Sequence, residues 1–243
     1  IQIGAILAVV VYFWQRIWDL VLGRRRMPRP NLMDAAPGRG GVAIEAPPTR
    51  RTALVSPVAL VVLATVPVLI VGKLAHGWVE QNMERPFPIA MALLIGGIVM
   101  LAVELVRLPV VARRVEEISL LQAMWVGCVQ ILAAVFPGTS RSAATITGGM
   151  VAGMSRETAA EFSFFLAIPA MFAATSYSLY KHISTNAALS IHEWLLLLVG
   201  TLVSFLVAWG VIAAFMAYIR RRSFIPFAIY RIILAVFVLL ATR

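Results

Sequence analysis

A short polar run interrupts a long apolar stretch: residues 137–142 read PGTSRS, with apolar residues on both sides. Arginine carries a planar, permanently charged guanidinium that fits phosphate oxygens, and serine hydroxyls donate hydrogen bonds to the same oxygens. Thr145 follows Arg141 by one helical turn and adds another hydroxyl. Residues of these types at this spacing could hold a phosphate-bearing ligand.

The same run predicts a turn between two helices. Pro137 and Gly138 stop an incoming helix and turn the chain, and Ser140 or Ser142 would cap the outgoing one. The unbonded N–H groups and positive dipole end of that second helix would then favour an anion at the turn. In the alternative interpretation, Arg141 only snorkels to a membrane surface and the serines only cap a helix. Because charges inside membranes are rare and usually functional, we favour a phosphate site.

The chain around this motif is too apolar for a soluble domain. Of its 243 residues, 61% are hydrophobic and 13% are charged, against about 45–50% and about 25% in ordinary soluble domains. The apolar residues form long blocks, which excludes disorder, collagen and coiled coils. The single cysteine, Cys128, provides neither a disulfide framework nor a cysteine metal site. Composition therefore predicts an all-α polytopic membrane protein.

Apolar segments of about 20 residues are needed to cross about 30 Å of hydrocarbon. We expect one integral membrane domain over residues 1–243, with a Pro-, Gly- and Arg-rich cytoplasmic loop at 23–54. Its spans are placed at about 3–22, 55–74, 87–106, 159–180, 194–217 and 224–242, with a re-entrant segment at 119–154.

Basic residues decide how the chain crosses the membrane. The 21 Lys and Arg exceed the 11 Asp and Glu, for a net charge of +10, and no soluble part is large enough to bind nucleic acid. We therefore interpret the excess as a topology signal. Arginines cluster in residues 23–51, 107–117 and 220–222. All three clusters are cytoplasmic only if residues 118–155 enter and leave on the same side, which predicts a re-entrant helical hairpin whose tip lines a site.

The motif and its surroundings resemble a known family. PGTSRSAAT, preceded by Gln130 and followed by ITGGMVAGMSRETAAEFSFFLAIP, is similar to the second signature of the undecaprenyl-diphosphate phosphatase family of the bacterial cell envelope. IQIGAILAVVVYFW and SFIPFAIYR, near the two ends, also match that family. The resemblance implies hydrolysis of undecaprenyl diphosphate to undecaprenyl phosphate and inorganic phosphate, which recycles the lipid carrier of peptidoglycan synthesis. It also implies a multi-pass protein of the bacterial inner membrane, linked to cell wall biogenesis, cell shape and bacitracin resistance.

The resemblance also implies roles for particular residues. Arg141 would stabilise the charge of phosphoryl transfer as a catalytic residue, together with Ser140, for which nucleophilic attack is an alternative. The candidate substrate-binding residues are Gly138, Thr139, Ser142, Thr145, Gln130, Gln2 and Arg231. Two of them have an alternative interpretation: Gln2 could be an interfacial residue, and Arg231 could snorkel to the membrane surface or pair with a carboxylate such as Glu161.

The family's first signature, of the form E-G-L-T-E-F-L-P-V-S-S-T-G-H, does not occur in these 243 residues. The resemblance assigns to that signature the proposed nucleophile, the general acid/base and the ligands of a divalent cation, Mg or Ca. We therefore expect no metal site in this chain, about one and a half parts of an inverted repeat, and little turnover by these residues alone.

The expected partners are a polyprenyl diphosphate substrate and membrane lipids, but no nucleic acid; a homodimer is compatible with the sequence. A second function stays open at this point. Re-entrant hairpins in inverted halves are also a transporter layout, so the alternative is a polyprenyl-phosphate flippase or another anion-lipid transporter.

Overall fold

The computed structural model describes residues 2–22, 55–75, 77, 79, 85–106, 108–185 and 190–242, so the predicted loop at 23–54 lies outside the described residues. Over those ranges the chain is helical, apart from turns, a short 3-10 helix at Val115–Glu117 and one isolated parallel bridge between Ala112 and Met154. In chain order the helices are α1 (Gln2–Tyr12), α2 (Trp14–Val21), α3 (Pro57–Leu74), α4 (Pro86–Val106), α5 (Leu120–Val135), α6 (Arg141–Val151), α7 (Arg156–Thr185), α8 (Ile191–Ile219) and α9 (Ile225–Ala241).

Helix length and composition confirm the all-α polytopic membrane fold class. Among the described residues, α3, α4, α7 and α8 are long and apolar enough to cross a membrane, and α1 with α2 make a fifth span if the bent pair is counted as one. Helices α5 and α9 are shorter but also apolar. The helices begin and end within a few residues of the predicted segments. Their exact limits in a membrane, and the inverted repeat, stay predictions.

The first predicted span, residues 3–22, consists of two helices with a bend between them. Helices α1 and α2 meet at Phe13 at an angle of 68°. Phe13 is buried against α7, with its ring centroid 5.3 Å from that of Phe165 and 5.8 Å from that of Phe164. Three residues later, Arg16 forms ion pairs with Glu116 and with Glu161. These contacts fix α2 in its own direction, which apolar periodicity alone cannot reveal.

Helices α5 and α6 form the predicted hairpin. Ser119 and Gln122 make a capping box at the start of α5. The Gln122 Nε2 donates to the carbonyl of Ala152 at 2.7 Å, and the Trp125 Nε1 donates to that of Gly148 at 3.1 Å, so the start of α5 lies beside the end of α6. With 16 and 11 residues, the two helices are about 24 and 17 Å long, too short to cross about 30 Å of hydrocarbon. The hairpin is confirmed, and its depth in a membrane stays a prediction.

Close helix packing holds the hairpin from two sides. Helix α3 packs along α5, where a Cβ on Gly127 would run into the backbone of Ala64. Helix α7 packs along α6, where a Cβ on Gly149 would meet the Cβ of Ala159 at 2.9 Å. Small residues at these crossings let the backbones approach closely. Helices α4 and α9 pack on each other, and α4 also contacts α6.

Candidate functional site

The tip of the hairpin is the five-residue turn between Val135 and Arg141. Within it, Gly138 has a φ of +91°, a left-handed conformation that side chains disfavour. The turn also packs directly on α4, because a Cβ on Gly138 would lie 2.6 Å from the carbonyl oxygen of Ile89. Backbone conformation and crowding therefore both require glycine at this position.

Ser140 caps the outgoing helix, as the motif predicts. Its Oγ accepts a hydrogen bond from the N–H of Ala143 at 3.4 Å, and its φ of 58° is the only positive value among the described non-glycine residues. Such a conformation costs on the order of 1–3 kcal/mol and persists only where surrounding contacts fix it. Ser140 is exposed, and Ser142 is half-buried as the second residue of α6. The N–H groups of Arg141 and Ser142 have no acceptor within a helix, so the turn presents hydrogen-bond donors.

Arg141 is half-buried at the first position of α6. Its Nη1 donates to the carbonyl oxygen of Ser163 on α7 at 3.4 Å. No carboxylate within the described ranges forms an ion pair with it. A guanidinium has five N–H donors, so most of the hydrogen-bonding capacity and all of the charge of Arg141 remain for an anion.

Ser163 is a residue that sequence reasoning missed. It is buried on α7, and its Oγ lies 2.6 Å from the Oγ1 of Thr145, which is fully buried on α6. The Thr145 Oγ1 also lies 2.8 Å from the carbonyl oxygen of Arg141. Thr145 and Ser163 thus connect α6 to α7, and both contact Arg141: the Thr145 hydroxyl contacts its carbonyl oxygen, and the Ser163 carbonyl contacts its guanidinium. The available signal is a lone serine in the apolar part of α7.

Arg231 reaches the same turn from α9. The residue is 7% exposed, and its Nη2 donates to the carbonyl oxygens of Thr139 at 3.2 Å, Gly138 at 3.3 Å and Ala92 at 3.5 Å. The structure therefore brings Arg231 to the tip with backbone carbonyls as its partners. Glu161, considered as a carboxylate partner, pairs with Arg16 instead.

Residues 1–237 match the family described as bacitracin resistance protein BacA. The chain belongs to this family. A protein named undecaprenyl-diphosphatase from Desulfovibrio desulfuricans is 38% identical over 238 residues, covering 98% of this chain and 80% of the relative. Proteins with the same name from Koribacter versatilis and Sphingopyxis alaskensis are 39% and 41% identical, covering 98% and 96% of this chain and 80% and 77% of their own lengths.

Two glutamines were predicted to bind substrate in this BacA-family chain, and they lie in different places. Gln130 is 1% exposed on α5, and its side-chain nitrogen and oxygen find no hydrogen-bond partner in the described part of the structure. Gln2 is exposed at the start of α1, where its Oε1 accepts from the Thr175 hydroxyl at 3.1 Å. Thr175 follows Ser163 by 12 residues on α7, or about 18 Å along a helix. Gln2 is therefore not brought to the tip.

The side chains at the tip do not fit a divalent cation. Mg²⁺ and Ca²⁺ take oxygen ligands, above all carboxylates, whereas the tip presents guanidinium and hydroxyl donors. Across the described part of this BacA-family chain, no three His, Cys, Asp or Glu side chains come together as metal ligands. The donors at the tip therefore suit an anion rather than a metal cation.

Proposed function

We infer that this chain hydrolyses undecaprenyl diphosphate to undecaprenyl phosphate and inorganic phosphate. One observation carries this function: the PGTSRS turn presents a capped helix N-terminus and an arginine that has no carboxylate partner among the described residues, in a chain whose relatives are named undecaprenyl-diphosphatase. The substrate is a polyprenyl diphosphate, and the reaction cleaves a phosphoanhydride bond. This reaction recycles the lipid carrier of peptidoglycan synthesis, which agrees with membership in a bacitracin resistance family. No finding favours the flippase alternative.

The tip would bind the diphosphate and stabilise the transition state. In phosphoryl transfer, negative charge spreads over the equatorial oxygens of the transferred group, and fixed positive charges beside them lower the barrier. Arg141 supplies a guanidinium, and the start of α6 supplies N–H groups and the positive end of the helix dipole. Ser142 supplies a hydroxyl on the same turn of helix. These groups act as electrostatic and hydrogen-bonding catalysts.

Ser140 fits a binding role better than a nucleophilic one. A serine nucleophile requires an adjacent base, and no described imidazole or carboxylate forms a hydrogen bond with its Oγ. That Oγ already accepts from Ala143, which leaves its own proton for donation to a phosphate oxygen. Ser140→Ala should therefore reduce turnover without eliminating it.

Three further features belong to this proposal. We place the protein in the bacterial inner membrane, because the lipid carrier is used there and the arginine clusters suit cytoplasmic loops. A divalent cation, Mg or Ca, would be held by residues other than those of the tip. For the predicted homodimer, light scattering of the detergent-solubilised full-length protein should give the mass of two chains, and the mass of one chain would reject it.

Phosphate release tests the function directly. Purified full-length protein in detergent should release inorganic phosphate from undecaprenyl diphosphate, and Arg141→Ala should lose nearly all of this activity. Arg220→Ala is the matched control, since Arg220 pairs with Glu157 at an exposed position far from the turn along the chain. Unchanged release by Arg141→Ala would place the site elsewhere, and no release by the wild type would reject the function.

A further inference from the structure

Arg231 makes an unusual set of contacts for a buried arginine. Three carbonyl oxygens converge on one nitrogen, Nη2: Ala92 belongs to α4, and Gly138 and Thr139 belong to the tip. Its Nε is buried and has no partner among the described groups. Carbonyl dipoles stabilise the guanidinium but do not neutralise it, so Arg231 adds positive charge next to the Gly138 and Thr139 carbonyls of the turn. It also joins α9, α4 and the tip at one point.

These contacts fix the backbone immediately before the helix cap. The carbonyl and N–H of a trans peptide point in opposite directions. When the Thr139 carbonyl points to Arg231, the N–H of Ser140 therefore points away from α9. The preceding peptide is held at both ends, because the Gly138 carbonyl accepts from Arg231 and the Thr139 N–H donates to the Phe136 carbonyl at 3.2 Å.

The strain at Ser140 explains why such a contact is needed. A non-glycine residue with a φ of 58° persists only where its surroundings determine the conformation. Arg231 holds the two carbonyls that precede Ser140, and Ile89 packs against Gly138. Without Arg231, the turn could relax to an ordinary negative φ at Ser140. The cap and the start of α6, where Arg141 lies, would then move.

We propose that Arg231 is a positioning residue, which holds the Gly138–Thr139 carbonyls so that Ser140 and Arg141 stay in the arrangement that binds the diphosphate. This role rests on the proposed function of the tip, but it differs from a direct contact between Arg231 and the substrate. The positioning role requires one nitrogen with several N–H donors at the position of Nη2, and it does not require the forked shape of a guanidinium.

The two roles predict different results for two substitutions. A lysine ammonium is a point charge with three donors, so Arg231→Lys can serve carbonyls that converge on one atom, but it cannot make a bidentate phosphate contact. Arg231→Met keeps much of the length of the side chain but removes all of its hydrogen-bond donors. We expect Arg231→Met to lower kcat by about 100-fold, the effect of a small misplacement of catalytic groups, with a smaller change in KM. We expect Arg231→Lys to stay within about 10-fold of the wild type, since it keeps the positioning bonds.

A third substitution displaces the guanidinium while keeping the arginine. A Cβ on Gly96 of α4 would lie 2.7 Å from the Arg231 Nη2, so Gly96→Ala should push that nitrogen away from its carbonyls. Its matched control is Gly210→Ala on α8, where a Cβ would meet nothing within 4 Å. Gly96→Ala should lower kcat in the same direction as Arg231→Met, and Gly210→Ala should leave it unchanged.

Hydrogen exchange of the full-length protein gives a readout that does not depend on turnover. Arg231→Met should raise amide exchange in residues 136–144 while leaving residues 153–160, at the other end of the hairpin, at the wild-type level. A general loss of protection would indicate a purely structural role and would overturn the proposal. Equal defects in Arg231→Lys and Arg231→Met would also overturn it, since the fork itself would then be required. If Arg231→Met shows the local exchange difference but the wild type releases no phosphate, the positioning role stands and the proposed function fails.

Discussion

The two ends of the α5–α6 hairpin use arginine in opposite ways. At the base, Arg16, Arg156 and Arg220 each pair with glutamate. At the tip, Arg141 and Arg231 donate only to main-chain carbonyls within the described ranges. Removing a charge from water is costly unless it is paired. The base neutralises its charges within the protein, whereas the tip keeps its positive charges without carboxylate partners among the described residues, with Arg141 placed to meet an anionic substrate.

Ion pairs from the first turns of α7 connect the base to neighbouring helices. Arg156 pairs with Glu104 on α4, and Glu157 pairs with Arg220 just after α8. Glu161 pairs with Arg16 on α2. Helices α2, α4 and α8 are thus joined by ion pairs to residues 156–161, which begin α7 directly after the hairpin. Substitutions at the base should therefore affect folding stability, and substitutions at the tip should affect catalysis.

Apart from the removal of Arg141 itself, the largest effect should come from Gly138→Ala at the tip. The new side chain would be strained by a φ of +91° and would meet the carbonyl oxygen of Ile89 at 2.6 Å, so the turn must move. We expect phosphate release to fall by about 100-fold or more, measured with undecaprenyl diphosphate. Gly153→Ala is a matched control at the base, because Gly153 also has a positive φ of +85° but its nearest neighbours would lie 3.3 Å away or more. Equal loss of activity in both variants would contradict the difference between the two ends.

A smaller effect, on stability, should follow Glu161→Gln at the base. The Glu161 carboxylate accepts from the Arg16 Nε at 2.7 Å; a glutamine amide keeps an acceptor oxygen but loses the negative charge, which leaves Arg16 with the carboxylate of Glu116 alone among the described groups. We expect a loss of about 1–3 kcal/mol in the free energy of unfolding, because the pair is largely buried. Thermal unfolding in detergent measures this loss. At temperatures where the variant is folded, its kcat should match the wild type, and a large fall in kcat would show that the base takes part in catalysis.

The smallest effect should follow Thr145→Val, which keeps the shape of the side chain and removes its hydroxyl. The Ser163 Oγ would lose its partner at 2.6 Å, at a cost of about 1–2 kcal/mol in stability. Arg141 would be held less firmly, so we expect phosphate release to fall about 3- to 10-fold at unchanged KM. Ser163→Ala should give a similar fall. A rise in KM without a fall in kcat would instead indicate that Thr145 contacts the substrate in the ground state.

The sequence is most informative where the signal is local. Proline and glycine followed by serine predict the turn and the cap, and the structure places both at Gly138 and Ser140. Arginine clusters predict a hairpin whose ends lie side by side, as the bonds from Gln122 and Trp125 show. These features depend on neighbouring residues in the chain or on the placement of charges, and both are visible in the sequence itself.

The partners of the site residues are less predictable, because they come from distant parts of the chain. Ser163 supports Arg141 from 22 residues away, and Arg231 reaches Thr139 across 92. The bend at Phe13 likewise depends on rings in α7. Residue type indicates that an arginine at depth needs a partner. Only packing decides whether that partner is a carboxylate, a carbonyl or a ligand.

One paired measurement tests the division between tip and base most directly: phosphate release and thermal unfolding of Arg141→Met and Arg16→Met in the full-length protein. We expect Arg141→Met to lose about 1,000-fold or more in kcat/KM with an unchanged Tm, because its charge serves the transition state. Arg16→Met should show a lower Tm, because two carboxylates lose their partner, and wild-type activity while folded. A lowered Tm with retained activity in Arg141→Met would contradict the account.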